Sequence, residues 1–181
     1  AERAGSAIQE VNPNPLIIVE GIENQVVGGQ KLTGHWWGGN LEGVRNNPVR
    51  LPVPNKVVYS PHEYGPEVSP QPWLTSKNLE KNLLDRWSKG FGYIHDQKIA
   101  PILIGEFGAI DFSTKTISGR WMKAFTDYLG KKGMSWTYWA WNPGSGDTGG
   151  LLTPDLVTLE KKKMPTIINL IKVQKKLFAL R

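Results

Sequence analysis

The chain has 181 residues, 39% of them hydrophobic, with no cysteine, eight tryptophans and a formal net charge of +6. That length suits one domain with its own core, and the missing cysteine excludes disulfides and thiolate zinc sites, while no apolar run approaches membrane-spanning length. The basic surplus does not predict a nucleic-acid partner, because Lys161, Lys162, Lys163, Lys175 and Lys176 lie in the tail, away from the aromatics, as on a solvated helix face. From Ala1 to Glu10, the residues Ala1, Ala4, Ala7 and Ile8 share one face and predict a helix. It starts without a capping residue, as the last turns of something longer would. Residues 1–20 lack a charged start followed by a long apolar core, so no signal peptide is expected here. Asn12-Pro13-Asn14-Pro15 ends the helix, and Leu16-Ile17-Ile18-Val19 reads as a β-branched strand closed by Glu20-Gly21.

A long irregular stretch follows, from about Ile22 to Asn55, with Gly28-Gly29, Gly38-Gly39, Pro48, Pro52 and Pro54. A loop of that length in a compact domain is functional or disordered, and the adjacent Trp36 and Trp37 argue against disorder. Lys56 to Ser60 is the next strand, with Pro61-His62-Glu63-Tyr64-Gly65-Pro66 as its exit. Leu79, Leu83 and Trp87 recur at helical spacing, with Ile94 beyond, and predict a helix from about Leu79 to Gln97. Ile102-Leu103-Ile104, entered at Pro101, is too short for a helix and reads as a strand buried on both faces. It runs into Gly105-Glu106-Phe107-Gly108, a carboxylate between two glycines that leave room for another molecule. Ile117 to Lys131 is an amphipathic helix with Trp121, Phe125 and Leu129 inward, closed by Gly130 and Gly133. Ser135 to Trp141 is the fourth strand, leaving through Asn142 to Gly150. Met164 to Leu180 is the last helix, with Ile167, Leu170, Ile171 and Phe178 inward.

Strands alternating with helices predict an α/β fold in which right-handed crossovers make a parallel sheet. Each strand exit carries unusual residues: Glu20, then His62 with Tyr64, then Glu106, then Trp139 with Trp141. Polar and aromatic groups gathered at one end of the strands are the pattern of a (β/α) barrel's catalytic face, although such a barrel has eight strands and only four are predicted here. Glu20 is expected to serve a salt bridge rather than a substrate, and Trp136 and Trp141 are as readily packing residues. His35 and His95 have no partner at metal-ligand spacing, and Asp147 reads as part of an ordered turn, so no metal and no cofactor are expected.

Five marks occur in order along the chain: Val19-Glu20-Gly21, Trp36-Trp37-Gly38-Gly39-Asn40, Val58 to Tyr64, Gly105-Glu106-Phe107-Gly108, and Trp139 through Gly150. Together they resemble the second half of a glycoside hydrolase family 5 cellulase, from Ala1-Glu2-Arg3-Ala4-Gly5 to Gly150, with a weaker match after Pro154. The resemblance implies an eight-stranded barrel that cleaves β-1,4-glucan with retention, in a secreted parent enzyme. It implies that Glu106 is the nucleophile and that His62 and Tyr64 hold that carboxylate ionised and aimed. It implies that Trp139 is the floor under the sugar at the cleavage point, and Trp36 or Trp37 a further sugar platform. The family's acid/base glutamate stands in an Asn-Glu-Pro sequence, which this chain does not contain.

The expected fold is therefore α/β, half of a TIM (β/α)8 barrel with four parallel strands and crossover helices, residues 1–181 forming one domain. Half a barrel leaves two open sheet edges, so completion is expected from a second copy in a homodimer or from a complementary N-terminal half. In a symmetric pair the partner's strand eight, ending in Trp139 and Asn142, would stand where the acid/base belongs. Such a pair would bind cello-oligosaccharide and hydrolyse it poorly. The other reading is a non-catalytic carbohydrate-binding or scaffold protein that self-associates.

Overall fold

The computed structural model describes residues 1–26, 29–75 and 77–179. Gly28 and Leu180, which the sequence reading assigns to a loop and to the end of a helix, lie outside the described residues. The chain forms two compact units and passes between them more than once: one comprises Ala1–His62 and Arg86–Gly105, the other Glu63–Asp85 and Glu106–Arg181. No helix among the described residues is long and apolar enough to cross a membrane.

In the first unit, helix α1 (Glu2–Val11) precedes strand β1 (Ile17–Glu20), which pairs in parallel with β2 (Val57–Ser60). The register sets Ile17 against Val57 and Glu20 against Ser60. Tyr59 then bridges in parallel to Ile102, and the Tyr59 amide donates to the Pro101 carbonyl at 3.1 Å. The predicted parallel α/β arrangement is present in these pairings. Helix α1 differs from expectation in the face it buries. Gly5 and Gln9 are inside, whereas Ala4, Ala7 and Ile8 are exposed. The reason is the segment from Arg50 to Val53, which lies against the helix. Gln9 exchanges two hydrogen bonds with the Val53 backbone, Glu2 accepts from the Arg50 amide, and Leu51 packs on Gly5. Backbone satisfaction outweighs the weak apolar pull of alanine there.

The predicted helix 79–97 is helix α2 (Leu79–Trp87), a π-turn over Ser88–Gly92 and helix α3 (Tyr93–Asp96). Leu79, Leu83, Trp87 and Ile94 are buried as the spacing predicts. The widened turn frees the Gly90 carbonyl to accept from the Leu41 amide at 3.2 Å.

The chain enters the second unit along β3 (His62–Tyr64), after Pro61, and again past Gly105, where β4 (Leu103–Ile104) runs on into β5 (Glu106–Gly108); β3 pairs with β5. Each of the two predicted strands is thus interrupted at its exit. Helix α4 (Ile117–Lys132) is capped by the Thr116 side chain, which accepts from the Gly119 amide, and stops at Gly133, with Gly130 inside the helix. Phe107 on β5 is fully buried, with its ring edge-on to Phe125, Trp136 and Tyr138, and Phe125 stacks on Trp121. The fourth strand is short, β6 (Ser135–Trp136), but the chain continues extended, and the Trp139 amide donates to the Phe107 carbonyl at 2.9 Å.

Helix α5 (Met164–Ala179) lies against α4. Ile167 and Leu170 are buried as predicted, whereas Ile171 and Phe178 are exposed. Gln174 takes the inward position next along. It accepts from the Trp136 indole at 2.8 Å and donates to the Met134 carbonyl at 2.7 Å, so a polar side chain is buried with its bonds made.

Candidate functional site

The second unit holds the central acid. Glu106 sits half-buried at the start of β5, where the chain leaves Gly105, and Tyr64 sits on the paired strand β3. The Tyr64 hydroxyl donates to Glu106 Oε2. Strand pairing brings these two side chains together across 42 residues of sequence. The burial of Tyr64 excludes water from that side of the carboxylate.

Trp139 enters the same unit through its backbone bond to Phe107, one residue beyond Glu106. Its side chain is 45% exposed, and its indole N–H donates to Ser145 Oγ at 3.2 Å. The ring is therefore tethered at its edge and keeps apolar surface in water. Tyr138, its neighbour, faces the other way: its hydroxyl donates to the Ala109 carbonyl at 3.3 Å, and burial pushes its ionisation well above the usual range. Alternation along the extended chain separates the two rings.

The first unit holds His62 and the two adjacent tryptophans. His62 is buried, and its Nδ1 lies 3.6 Å from Glu20 Oε1, a salt-bridge contact of the kind the sequence assigns to Glu20. Gly38 makes this pair possible. Its φ of +73° suits glycine, and a Cβ there would fall on Glu20 Oε1 and crowd His62 Nδ1.

Of the adjacent tryptophans, Trp36 is 4% exposed and belongs to the core of its unit, whereas Trp37 is 75% exposed. The separation has a local cause: the Gly39 amide donates back to the Trp36 carbonyl at 2.8 Å, closing a turn that throws successive side chains to opposite sides. That turn is braced by Glu42, which accepts from the Lys31 and Leu32 amides and from His35 Nε2 at 2.9 Å. Burial holds His35 below its ordinary value, with Glu42 pulling the other way. Asn40 ties the same stretch to Gln30 and caps the Glu42 amide.

Sequence reasoning did not find Gly38 or Ser145 as parts of these arrangements. The Glu42 brace was missed as well. Its signal was available, since an acid between glycine-rich turns has free amides to satisfy.

Residues 1–145 match the family model Cellulase (glycosyl hydrolase family 5). The chain belongs to that family. An endoglucanase of Paenibacillus polymyxa is 48% identical over 172 residues, which are 95% of this chain and 43% of that protein. The major extracellular endoglucanase of Xanthomonas campestris is 36% identical over 171 residues, 94% of this chain and 34% of that one. Among solved structures, the endocellulase of Pyrococcus horikoshii in complex with cellotetraose superposes with a TM-score of 0.84 at 38% identity, over 94% of this chain and 47% of that one. This family 5 chain thus spans less than half the length of these relatives.

Proposed function

We propose that these 181 residues carry the nucleophile and part of the substrate platform of a retaining endo-β-1,4-glucanase. In this reading 1–181 is one stretch of a single catalytic domain, the second half of a (β/α)8 barrel. The Tyr64 hydroxyl on the Glu106 carboxylate is the observation that carries it. Glu106 attacks the anomeric carbon as the glycosidic bond breaks, giving a covalent glycosyl–enzyme ester. Tyr64 aims the attacking carboxylate and stabilises it as the leaving group when the ester is hydrolysed. His62, whose Nδ1 lies beside Glu20, is the second residue this reading assigns to the support of the nucleophile. Trp139 and Trp37 supply flat apolar faces for the C–H surfaces of glucose, which is the geometry tryptophan favours.

The reaction also needs an acid that protonates the leaving oxygen and then, as base, activates water roughly 5–5.5 Å from the nucleophile. No Asn-Glu-Pro occurs in the sequence, so that group comes from residues outside these 181, in a complementary N-terminal half or a partner chain. The substrate is polymeric glucan, which is met outside the cell. A relative named as extracellular agrees with secretion of the parent enzyme.

The test is complementation. The chain alone is expected to leave carboxymethylcellulose intact. Mixed with a polypeptide carrying the first four strands of a family member, it is expected to cut the polymer internally. Glu106→Gln in the mixture should lower kcat by on the order of 10³-fold or more. Equal turnover by Glu106→Gln would overturn the assignment.

A further inference from the structure

The loop from Asn142 to Gly150 is fastened by a buried cation. Lys163 is 5% exposed, and its Nζ donates to the Thr148 carbonyl at 2.6 Å. The same Nζ stands 5.6 Å from the centre of the Phe112 ring. Among the described residues no carboxylate lies within salt-bridge distance of it, and Glu160 attracts it only from further away. Burial accordingly holds the ammonium below its ordinary value. An ammonium taken out of water without a paired carboxylate is costly, and a methionine would fill the volume at less cost.

What the lysine grips is one end of a polar chain that finishes on Trp139. Thr148 is fully buried, and its Oγ1 donates to Ser145 Oγ at 3.0 Å. Ser145 Oγ also accepts from the Trp139 indole N–H at 3.2 Å, and donates its own proton to Asp147 Oδ1. A hydroxyl has one proton to give and two lone pairs to offer, and all three are used here. The direction of every bond in the chain is therefore determined. The Thr148 amide adds a bond to Asp147 Oδ1 at 2.8 Å, and the Gly149 amide closes the turn on the Ser145 carbonyl at 2.7 Å. Gly149 has a φ of +59°, and a Cβ there would come within 3.1 Å of Lys163 Nζ, so the backbone at this point is shaped to admit the lysine.

We propose that Lys163 is a positioning residue for Trp139: it anchors Thr148, and through Thr148 and Ser145 it sets the plane of the exposed indole. The role of that indole as a sugar platform is the reading given above, and the positioning claim rests on it for its functional meaning. Lys163 lies outside the residues that match the family model and touches neither the acid nor the exposed ring.

The experiment uses the chain labelled with 15N-tryptophan, whose indole resonance of Trp139 is assigned with Trp139→Phe. In Lys163→Met, and separately in Thr148→Val, that resonance is expected to move while the indoles of Trp87 and Trp121 stay in place. Cellotetraose binding, followed by calorimetry, is expected to weaken about tenfold in both variants, the loss of one net hydrogen bond. Neither variant is expected to weaken it further when Trp139→Ala is already present. A Trp139 resonance unmoved in both variants would overturn the positioning claim. Full-strength binding by Trp139→Ala would instead overturn the platform reading, whatever the resonance does. Thr148→Val keeps the shape of a fully buried residue, so it decides the matter if Lys163→Met fails to fold.

Discussion

The two compact units differ in what they leave in water. The second buries a continuous set of aromatics, Trp121, Phe125, Phe107 and Tyr138 in ring contact, and leaves Trp139, Trp141, Leu156 and Val157 exposed in loops and Ile168, Ile171, Val173 and Phe178 exposed on α5. The first leaves Ile8 and Val11 exposed on α1, Leu16 exposed just before β1 and Ile18 exposed on it. Strand β1 alternates half-buried and exposed along its whole length, and has no strand partner on its other edge among the described residues. Apolar surface collected along a free strand edge is the mark of an interface, since monomers blunt such edges with charge or cover them. The comparison teaches that both units leave apolar side chains in water, the second over loops and a helix face and the first beside a strand with no strand partner on one edge among the described residues.

The largest effect is expected inside the second unit. Phe125→Ala removes a fully buried ring that touches both Phe107 and Trp121, and should destabilise the chain by about 3–5 kcal/mol. Chemical denaturation measures it, and a loss under about 1 kcal/mol would show that the aromatic set is not the core of that unit. Next comes Gly38→Ala in the first unit. A side chain at that positive φ, against Glu20 and His62, should cost about 1–3 kcal/mol, and the crystal structure of the variant should show the Glu20–His62 contact opened. Smaller in stability but sharper in consequence is Leu16→Lys with Ile18→Lys. Both side chains are exposed, so the change in the chain's own stability should stay within about 0.5 kcal/mol. Association, read as mass by light scattering, should nevertheless be lost. A wild-type chain that runs as a clean monomer would break the comparison outright.

The smallest expected effect is a pH dependence in the first unit. Burial lowers the His35 value in the folded chain below its ordinary 6.5. The unfolded chain therefore takes up a proton that the folded chain resists. Stability is full above about pH 6.5 and declines as pH falls from there toward the folded value. His35→Gln should flatten that part of the stability curve. An unchanged acid limb would assign the dependence to other groups.

Much of the fold was legible because strongly periodic segments leave few choices. Leu79, Leu83 and Trp87 specified one helix face, Trp121, Phe125 and Leu129 another, and the β-branched runs before Glu20 and Glu106 specified strands. The Tyr64–Glu106 contact was legible only as a resemblance, because nothing local links residues 42 apart. What escaped was decided by hydrogen bonding rather than apolar pattern. Helix α1 buries Gln9 because a backbone needed its amide, and α5 buries Gln174 for the same reason. The π-turn at Gly90 goes with a backbone partner far along the chain, Leu41, and the burial of Trp36 beside an exposed Trp37 follows from the turn that the Gly39 amide closes. Lys163, one of three consecutive lysines, looked like solvent-facing charge, and only the loop folded over it shows otherwise.

The outer margin of β1 has a practical consequence for anyone handling the molecule. A strand margin with no strand partner among the described residues, with Leu16 and Ile18 exposed beside it, is a template on which a further chain can lay its own backbone. If successive additions close into a ring the assembly stops at a defined size, and if they do not it grows into filaments. Turbidity should therefore climb with concentration, and coexpression with whatever covers that margin should raise the soluble yield.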